Sequence, residues 1–436
     1  MSTDLSAPPA SLKRAPANAL AAQRSKVGAV PPRPLGETLS RSARLGYVLM
    51  LGALVALGPF TIDLYLPAFP EVAADLQASD AAIQLTLTAT MIGFGLGQLI
   101  VGPLSDSFGR KKPLLFATTL HVVASIGVAL APTVEWVMVG RVFQGIGAAG
   151  GAVVAMAVVR DLFAGQGLIR MLSRMALVTG LAPVLAPVIG SQLLRVVDWR
   201  EVFFVLAAYG VLIGIIVATK LFETLPSALR GTSEKGIVAK RYKKLLTDPA
   251  FVGIAIVGAM TFTTLFAYLS SSSFVLQDLY GLSAQQYGVI FGINSLGLVT
   301  CTQIASRLMR RFPPRTVAAL GLSVMSAGAL SLLIGAFFDV GLFPVMVSLF
   351  FVVSPVGLIM PSVQVTALAN HGREAGTAAS LIGAANFGIA GLISPIVGVL
   401  GISVASMAIV MVGALVVAHL TFWLVVRPRI QSTVVA

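Results

Sequence analysis

Charge is scarce in this chain. Only 11% of its 436 residues are Asp, Glu, Lys or Arg, against about 25% in a soluble domain. A water-soluble globule of this size must cover its surface with polar groups. Too few are present, so a soluble enzyme and a disordered chain are both excluded. Cysteine is nearly absent: Cys301 stands alone, which rules out an internal disulfide and a cysteine-based metal centre. The histidines, His121, His371 and His419, lie far apart and form no H-E-x-x-H pattern. No G-x-x-x-x-G-K-S/T phosphate loop occurs, so ATP is not the energy source within this chain. No G-x-S-x-G nucleophile elbow occurs either. Residues 1–44 are rich in Ala, Pro, Ser and basic groups and lack the apolar core of a cleavable signal peptide. They read as a flexible basic cytoplasmic tail.

What is abundant is apolar. Hydrophobic residues make up 57% of the chain, 43 further residues are glycine, and the mean hydropathy is +0.92. Stretches of about 20 apolar residues recur, each long enough as a helix to cross a hydrocarbon core of about 30 Å. The spans read as 45–68, 81–103, 114–133, 136–159, 171–194, 201–221, 250–272, 285–306, 316–337, 341–362, 376–399 and 404–426. Only helices or closed barrels satisfy the backbone in lipid, and no set of alternating strands is present. The expected fold is therefore an all-α membrane protein of twelve transmembrane helices.

Basic residues orient it. Of thirty Lys and Arg, all but Arg141, Arg195 and Arg200 fall before span 1, after even-numbered spans or at the C-terminal end. Both termini are then cytoplasmic. The net charge of +13 is a topology signal, and no nucleic-acid partner is expected. The longest polar segment, 223–248, splits the spans six and six. Pro187-x-x-Gly190 in span 5 recurs as Pro395-x-x-Gly398 in span 11, an echo of duplication. The organisation expected is a tail (1–44), a six-helix bundle (45–222), a cytoplasmic linker (223–248), a pseudo-symmetric second bundle (249–427) and a short cytoplasmic tail (428–436). A site between the halves near the midplane is a common transporter plan.

Two charges lie inside spans, Asp63 in span 1 and Arg141 in span 4. An ionisable group at membrane depth costs a few kcal/mol and is a functional candidate. Counted along their helices, both lie about 9–10 Å below the external surface, so they are expected to pair. Asp63 is the natural proton carrier, because burial and a nearby Arg act on its charge in opposite senses. The bland alternatives are a wetted interfacial acid and a structural interhelical salt bridge. His121 and His419 read as hydrogen-bonded structural histidines. Gly145, Gly147 and Gly150 satisfy a formal G-x-G-x-x-G, but no strand precedes it. Close helix packing explains it, as it does Gly93-x-x-x-Gly97 and Gly147-x-x-x-Gly151.

Several motifs resemble a known family. Gly102-Pro-Leu-Ser-Asp106-Ser-Phe-Gly109-Arg110-Lys111-Lys112 after span 2 resembles the signature loop of the major facilitator superfamily (MFS). Arg141-x-x-Gln144-Gly145-x-Gly147 resembles its span-4 motif. Gly180-Leu-Ala-Pro183-Val-Leu-Ala-Pro187-Val-Ile-Gly190 resembles its antiporter motif, with Ala-Pro where Gly-Pro is usual. Asp63-Leu-Tyr-Leu-Pro67-Ala-Phe-Pro70, Arg160-Asp161-Leu-Phe163, Asp198-Trp199-Arg200 and Arg373-Glu374-Ala-Gly376 are similar to the Bcr/CflA drug-resistance subfamily. The resemblance implies the MFS fold and proton-driven efflux of small amphipathic antibiotics, such as bicyclomycin or phenicols, by alternating access. It implies a bacterial inner (cytoplasmic) membrane location, a monomer among membrane lipid, and no cofactor beyond the proton gradient. Asp106 and Arg110 would form a cytoplasmic latch between the halves, with Asp161 as partner, and Pro183 and Pro187 would bend span 5. Proton coupling would fall on Asp63 and Arg141. Tyr65, Gln84, Gln98, Gln144, Phe266, Tyr268, Asn294 and Asn386 are candidates to line the substrate cavity. The competing readings are an exporter of a native sugar or amino-acid derivative and, more distantly, a polytopic membrane enzyme or sensor.

Overall fold

The computed structural model describes residues 40–227, 230, 237–369, 371, 375–393 and 396–427. Twelve helices among the described residues are long and apolar enough to cross a membrane, and no strand occurs among them. They are α1 (Arg41–Asp75), α2 (Asp80–Phe108), α3 (Lys111–Ala129), α4 (Val134–Leu162), α5 (Gly165–Leu193), α6 (Trp199–Lys220), α7 (Pro249–Leu279), α8 (Ala284–Leu308), α9 (Pro314–Phe338), α10 (Leu342–Leu368), α11 (Gly376–Val399) and α12 (Val404–Val426). Pro395 of the P-x-x-G echo, Arg373, Glu374 and residues 1–39 and 428–436 lie outside the described residues.

The helices overrun the apolar runs because their ends carry caps. Ser40 accepts the Ala43 N–H at 3.2 Å, so α1 starts at Arg41. Asp198 with Glu201 and Ser283 with Gln286 form capping boxes that start α6 and α8. α2 continues through Pro103 and ends only at Gly109, whose φ of +88° stops it. The basic loops gather at one end of the bundle, here the basic end. Glu71, Asp75, Asp198 and Glu201 gather at the other, the far end.

α1 is not one continuous helix. Pro59 lies within it, the α-helical part stops at Asp63, a 3₁₀ turn spans Leu66–Ala68, and a short helix, Phe69–Asp75, completes the crossing. This break supplies the irregular backbone around which the first six helices are arranged.

Glycines set the tightest contacts. On α4, Gly145 lies against the Thr90 carbonyl and Gly93 of α2, and Gly147 lies against Ala117 and His121 of α3. The formal dinucleotide glycines are thus helix contacts, as expected. In the last six helices Gly357 of α10 meets the backbone of Leu298 and Thr302 on α8 in the same way, so the second and fourth helices of each six pack through glycine.

The two sixes are joined along α5–α8 and α2–α11. Toward the far end, the Gln277 amide donates to the Pro67 carbonyl at 3.0 Å and the Gln285 amide to the Ser191 carbonyl at 2.9 Å. Gln84 donates to Ser271 at 3.2 Å, and Phe69 meets Phe274 at 5.6 Å. Gln277 sits in a π-helical turn, Val275–Leu279, that ends α7.

A side chain added at Gly145 must displace backbone, whereas Gly95 has open space around it. Gly145→Val is expected to cost about 1–3 kcal/mol or more and to lower the thermal midpoint and monodisperse fraction in detergent. Gly95→Ala leaves both unchanged. Equal behaviour of the two variants would contradict this packing.

Candidate functional site at the break in α1

The break at Leu64 leaves terminal carbonyls of the α1 helix without intrahelical partners. One, on Thr61, is taken by Arg141: its Nη1 donates to the Thr61 carbonyl at 2.8 Å and to Gln144 Oε1 at 2.7 Å. The guanidinium lies over the rings of Tyr65 (4.7 Å) and Phe203 (5.6 Å). A cation is well placed at a helix C-terminus. The network continues from Gln144 Nε2 to Ser125 Oγ at 2.8 Å and from Ser125 to the His121 carbonyl at 2.7 Å. His121 Nε2 closes it on Thr61 Oγ1 at 2.9 Å. Every one of these residues is fully buried.

The expected Asp63–Arg141 ion pair is therefore not formed in this structure. Arg141 is directed instead at a backbone carbonyl two residues before Asp63. Asp63 is buried, at 5% exposure, and makes no hydrogen bond or ion pair with the described residues. The 3₁₀ turn that follows it, Leu66–Ala68, packs against α7 and α8 of the last six helices. Arg141 keeps two buried donors, Nε and Nη2, without acceptors. Donors and carboxylate thus flank the break, both unused.

The cavity candidates divide. Tyr65 and Gln144 make their hydrogen bonds and ring contacts within the first six helices. Tyr65 is fully buried within the first six helices, its OH bonded to Thr86 and its ring against Phe69 and Phe203, and Gln144 belongs to the Arg141 network. Of the others, Gln84 and Gln98 reach across the seam between the sixes, whereas Phe266, Tyr268 and Asn294 make their ring and hydrogen-bond contacts within the last six helices. Gln84 reaches Ser271, and Gln98 lies against Gly383. Phe266 packs on Phe262 at 4.9 Å. Tyr268 stacks on Phe291 and accepts from Asn294 at 3.0 Å, and Asn386 Oδ1 is buried without a partner.

Three residues were not foreseen. Phe94 of α2 stacks on Phe387 of α11 at 5.3 Å, and Phe262 meets Phe387 at 5.1 Å, which with Phe266 makes an aromatic cluster between the sixes. A Phe in an apolar span carries no signal of its facing. A readable signal was the buried run Ser270–Ser273 in α7, which is polar at membrane depth. His371, bonded to Asp248 at 2.9 Å, was also missed, since the pair is distant in sequence.

The α5 motif explains itself by contact. Gly190 has room for no side chain, because the Leu64 carbonyl at the α1 break occupies the space. Val188 and Ser191 meet Gly292 and Gly288 of α8, and Gly180 faces Val299. Pro183 and Pro187 lie inside the same helix. The motif thus holds α5 between the α1 break and the other half.

At the basic end the three latch residues do come together. Arg110 grips Asp161 through Nε (2.8 Å) and Nη2 (3.3 Å), and its Nη1 binds Asp106 and, at 3.0 Å, Ser105. All belong to the first six helices, so the latch does not bridge the halves in this conformation. Asp106 is 68% exposed. The chain leaving α6 completes the cluster. Thr224 donates to Asp161 at 2.9 Å, and Glu223 accepts the N–H groups of Arg110 (2.8 Å) and Lys111 (3.3 Å) at the start of α3. A side chain at Gly109 would strike the Glu223 carboxylate.

Burial pushes the Glu223 carboxyl up, but the backbone N–H groups of Arg110, Leu225 and Lys111 and the charge of Arg230 outweigh it, leaving the carboxyl below its usual 4.5. A depressed folded-state value stabilises the fold above the unfolded value, and that stabilisation is lost as pH falls through the folded one. Glu223→Gln is expected to lower the thermal midpoint at neutral pH, and the gap from the native chain to close below pH 4.5. A gap unchanged in acid would remove the carboxylate charge as its source.

The family model described as Major Facilitator Superfamily matches residues 49–395. A relative from Bacillus subtilis, named uncharacterized MFS-type transporter YdgK, is 34% identical over 389 residues, covering 89% of this chain and 97% of its own. A bicyclomycin resistance protein homolog from Haemophilus influenzae is 29% identical, covering 88% and 97%. Multidrug resistance protein MdtL from Vibrio parahaemolyticus is 26% identical, covering 83% and 91%. Among solved structures, a bacterial homolog of the human lysosomal transporter Spinster, inward-facing and unoccupied, matches with a TM-score of 0.70 at 15% identity, covering 89% and 98%. A D-xylose–proton symporter matches at 0.67 and 18%, covering 86% and 96%. At these identities the structural likeness is one of fold. The chain belongs to the major facilitator superfamily of multi-pass membrane transporters, and its named relatives are consistent with the Bcr/CflA drug-resistance subfamily.

Proposed function

We propose that the chain is a proton-coupled antiporter that exports small amphipathic compounds, bicyclomycin- or phenicol-like molecules, across the bacterial inner membrane by alternating access. It acts as a monomer with both termini cytoplasmic and draws on the proton gradient alone. The observation that carries this reading is the Asp63 carboxyl, buried at the α1 break without a hydrogen bond to the described residues, near a buried Arg141 with two unused donors. As a carboxylate it is drawn toward Arg141; as a carboxylic acid it is released and can donate a hydrogen bond. A proton or a substrate at the break therefore competes for one group, which is the coupling an antiporter requires.

The substrate would lie against the cluster of Phe94, Phe262, Phe266 and Phe387, with the Asn386 amide as polar anchor. Apolar walls with few polar groups suit broad recognition. With cytoplasmic termini the far end is external, and the Gln277, Gln285 and Gln84 bonds hold it shut. Opening it requires breaking these neutral bonds while the basic end closes.

In a host stripped of its own efflux pumps, the native chain is expected to raise resistance to at least one such compound. Asp63→Asn at matched membrane level returns it to the empty-vector value. Resistance that survives Asp63→Asn would sink the carrier assignment, and resistance to nothing would favour the metabolite exporter. Phe387→Ala is expected to weaken aromatic substrates threefold to tenfold, about 0.5–1.5 kcal/mol of ring contact, read as a shift in inhibitory concentration. No shift for any exported compound would remove the cluster from the binding site.

A further inference from the structure

A cavity of about 310 Å³ opens at the basic end between the starts of α1 and α5. Among the described residues it is lined by Arg44, Phe163, Gly167, Arg170, Met171 and Arg174: three guanidinium groups and a floor of buried Phe163 and Met171. Its volume is at the low end of the roughly 300–1,000 Å³ of small-molecule pockets.

Gly167, Arg170, Met171 and Arg174 stand three and four residues apart and so share one face of α5. Like charges one turn apart repel, and cations near a helix N-terminus oppose its dipole. An arrangement unfavourable for the helix alone becomes favourable with an anion between the arginines. The helix start points the same way. Its N-cap is Ala164, which offers no side-chain acceptor, whereas Ser40 and Asp248 cap α1 and α7 at the same end. Gly167, third in α5, carries one of the amides that lack an intrahelical partner, and it lines the cavity without a side chain in the way.

The same face continues below the arginines as Leu177, Leu181 and Leu185, at 57%, 38% and 47% exposure. The stripe thus passes from cationic at the bundle end to apolar at membrane depth. That order matches a phospholipid, phosphate first and acyl chains after. Basic pockets between transmembrane helices are a recurring headgroup site, and a planar guanidinium is suited to bidentate phosphate binding.

We propose that this cavity binds the phosphate of an anionic phospholipid headgroup, held by Arg170, Arg174 and Arg44 with the Gly167 N–H, while the acyl chains lie along the leucine stripe. A free phosphate ion presents the same chemistry, and the test separates the two. The full chain, purified in detergent, is titrated with phosphatidylglycerol, with phosphatidylcholine or with inorganic phosphate. Bound lipid is counted by native mass spectrometry and the thermal midpoint is followed. Phosphatidylglycerol is expected to bind the native chain in preference to phosphatidylcholine. Arg170→Gln with Arg174→Gln weakens it about thirtyfold, at about fivefold per arginine. Arg310→Gln with Arg311→Gln, an equal loss of charge at the same end, leaves it unchanged. Stabilisation by inorganic phosphate equal to that by the lipid, and lost in the Arg170/Arg174 pair, supports the cavity and makes its occupant a free anion. Equal weakening by both pairs means diffuse attraction to the basic surface and overturns the proposal, as does the absence of any preference for phosphatidylglycerol. If the double variant does not fold, Arg174→Gln alone is read, with about fivefold expected, and Arg170→Lys with Arg174→Lys is expected to retain the preference.

Discussion

The arrangement of the first six helices depends on one carbonyl. In lipid every backbone polar group must find a partner within the protein, and the interruption of α1 at Leu64 leaves the Thr61 carbonyl without one. Arg141 meets it from α4. A guanidinium at that depth is itself costly, so it brings its own requirements: Gln144 and Ser125 to continue its hydrogen bonds, Tyr65 and Phe203 to cover its faces, and glycines on α4 that let α2 and α3 come close. Because Arg141 is engaged with backbone, Asp63 on the same turn is left out of the network and stays buried at the break. The interruption that demands a cation also frees a carboxyl.

The two ends of the bundle are held by different physics. At the basic end the interactions are ionic and crowded onto Arg110, which gathers two carboxylates while Glu223 holds its backbone. They tie the ends of α2 and α4 and the start of α3 to the chain leaving α6. At the far end the bonds that join the sixes are neutral. A charged gate would leave unpaired ions facing the seam each time it opened, a heavy cost in a medium of low dielectric, whereas amides exchange protein partners for water at a small net change.

Much of this was legible in the sequence, and the limits have physical causes. The twelve spans follow from hydropathy alone, because the bilayer imposes length and polarity together. Asp63 and Arg141 stood out because charge is rare at that depth. Their relation was misread because a residue count gives depth along a helix and says nothing of azimuth, and because the true partner of Arg141 is a main-chain atom. For the same reason Tyr65 and Gln144 were taken for cavity residues when they serve the Arg141 network, and Phe94, Phe262 and Phe387 were passed over. An aromatic ring among apolar neighbours reads alike whether it faces lipid, core or seam. Asp106, Arg110 and Asp161 do meet, but within the first six helices, because a motif shows which residues are suited to pair and not which half their partners stand on.

The far-end bonds have a consequence for how this surface tolerates change. Gln277 and Gln285 reach across to carbonyls of the main chain, at Pro67 and Ser191, so the acceptor is present whatever side chain stands there. Sequence drift on the first half therefore leaves these two bonds intact, while the loss of either amide on the second half removes one outright. The closure is asymmetric in its inheritance: one side must keep its residues, and the other need only keep its shape.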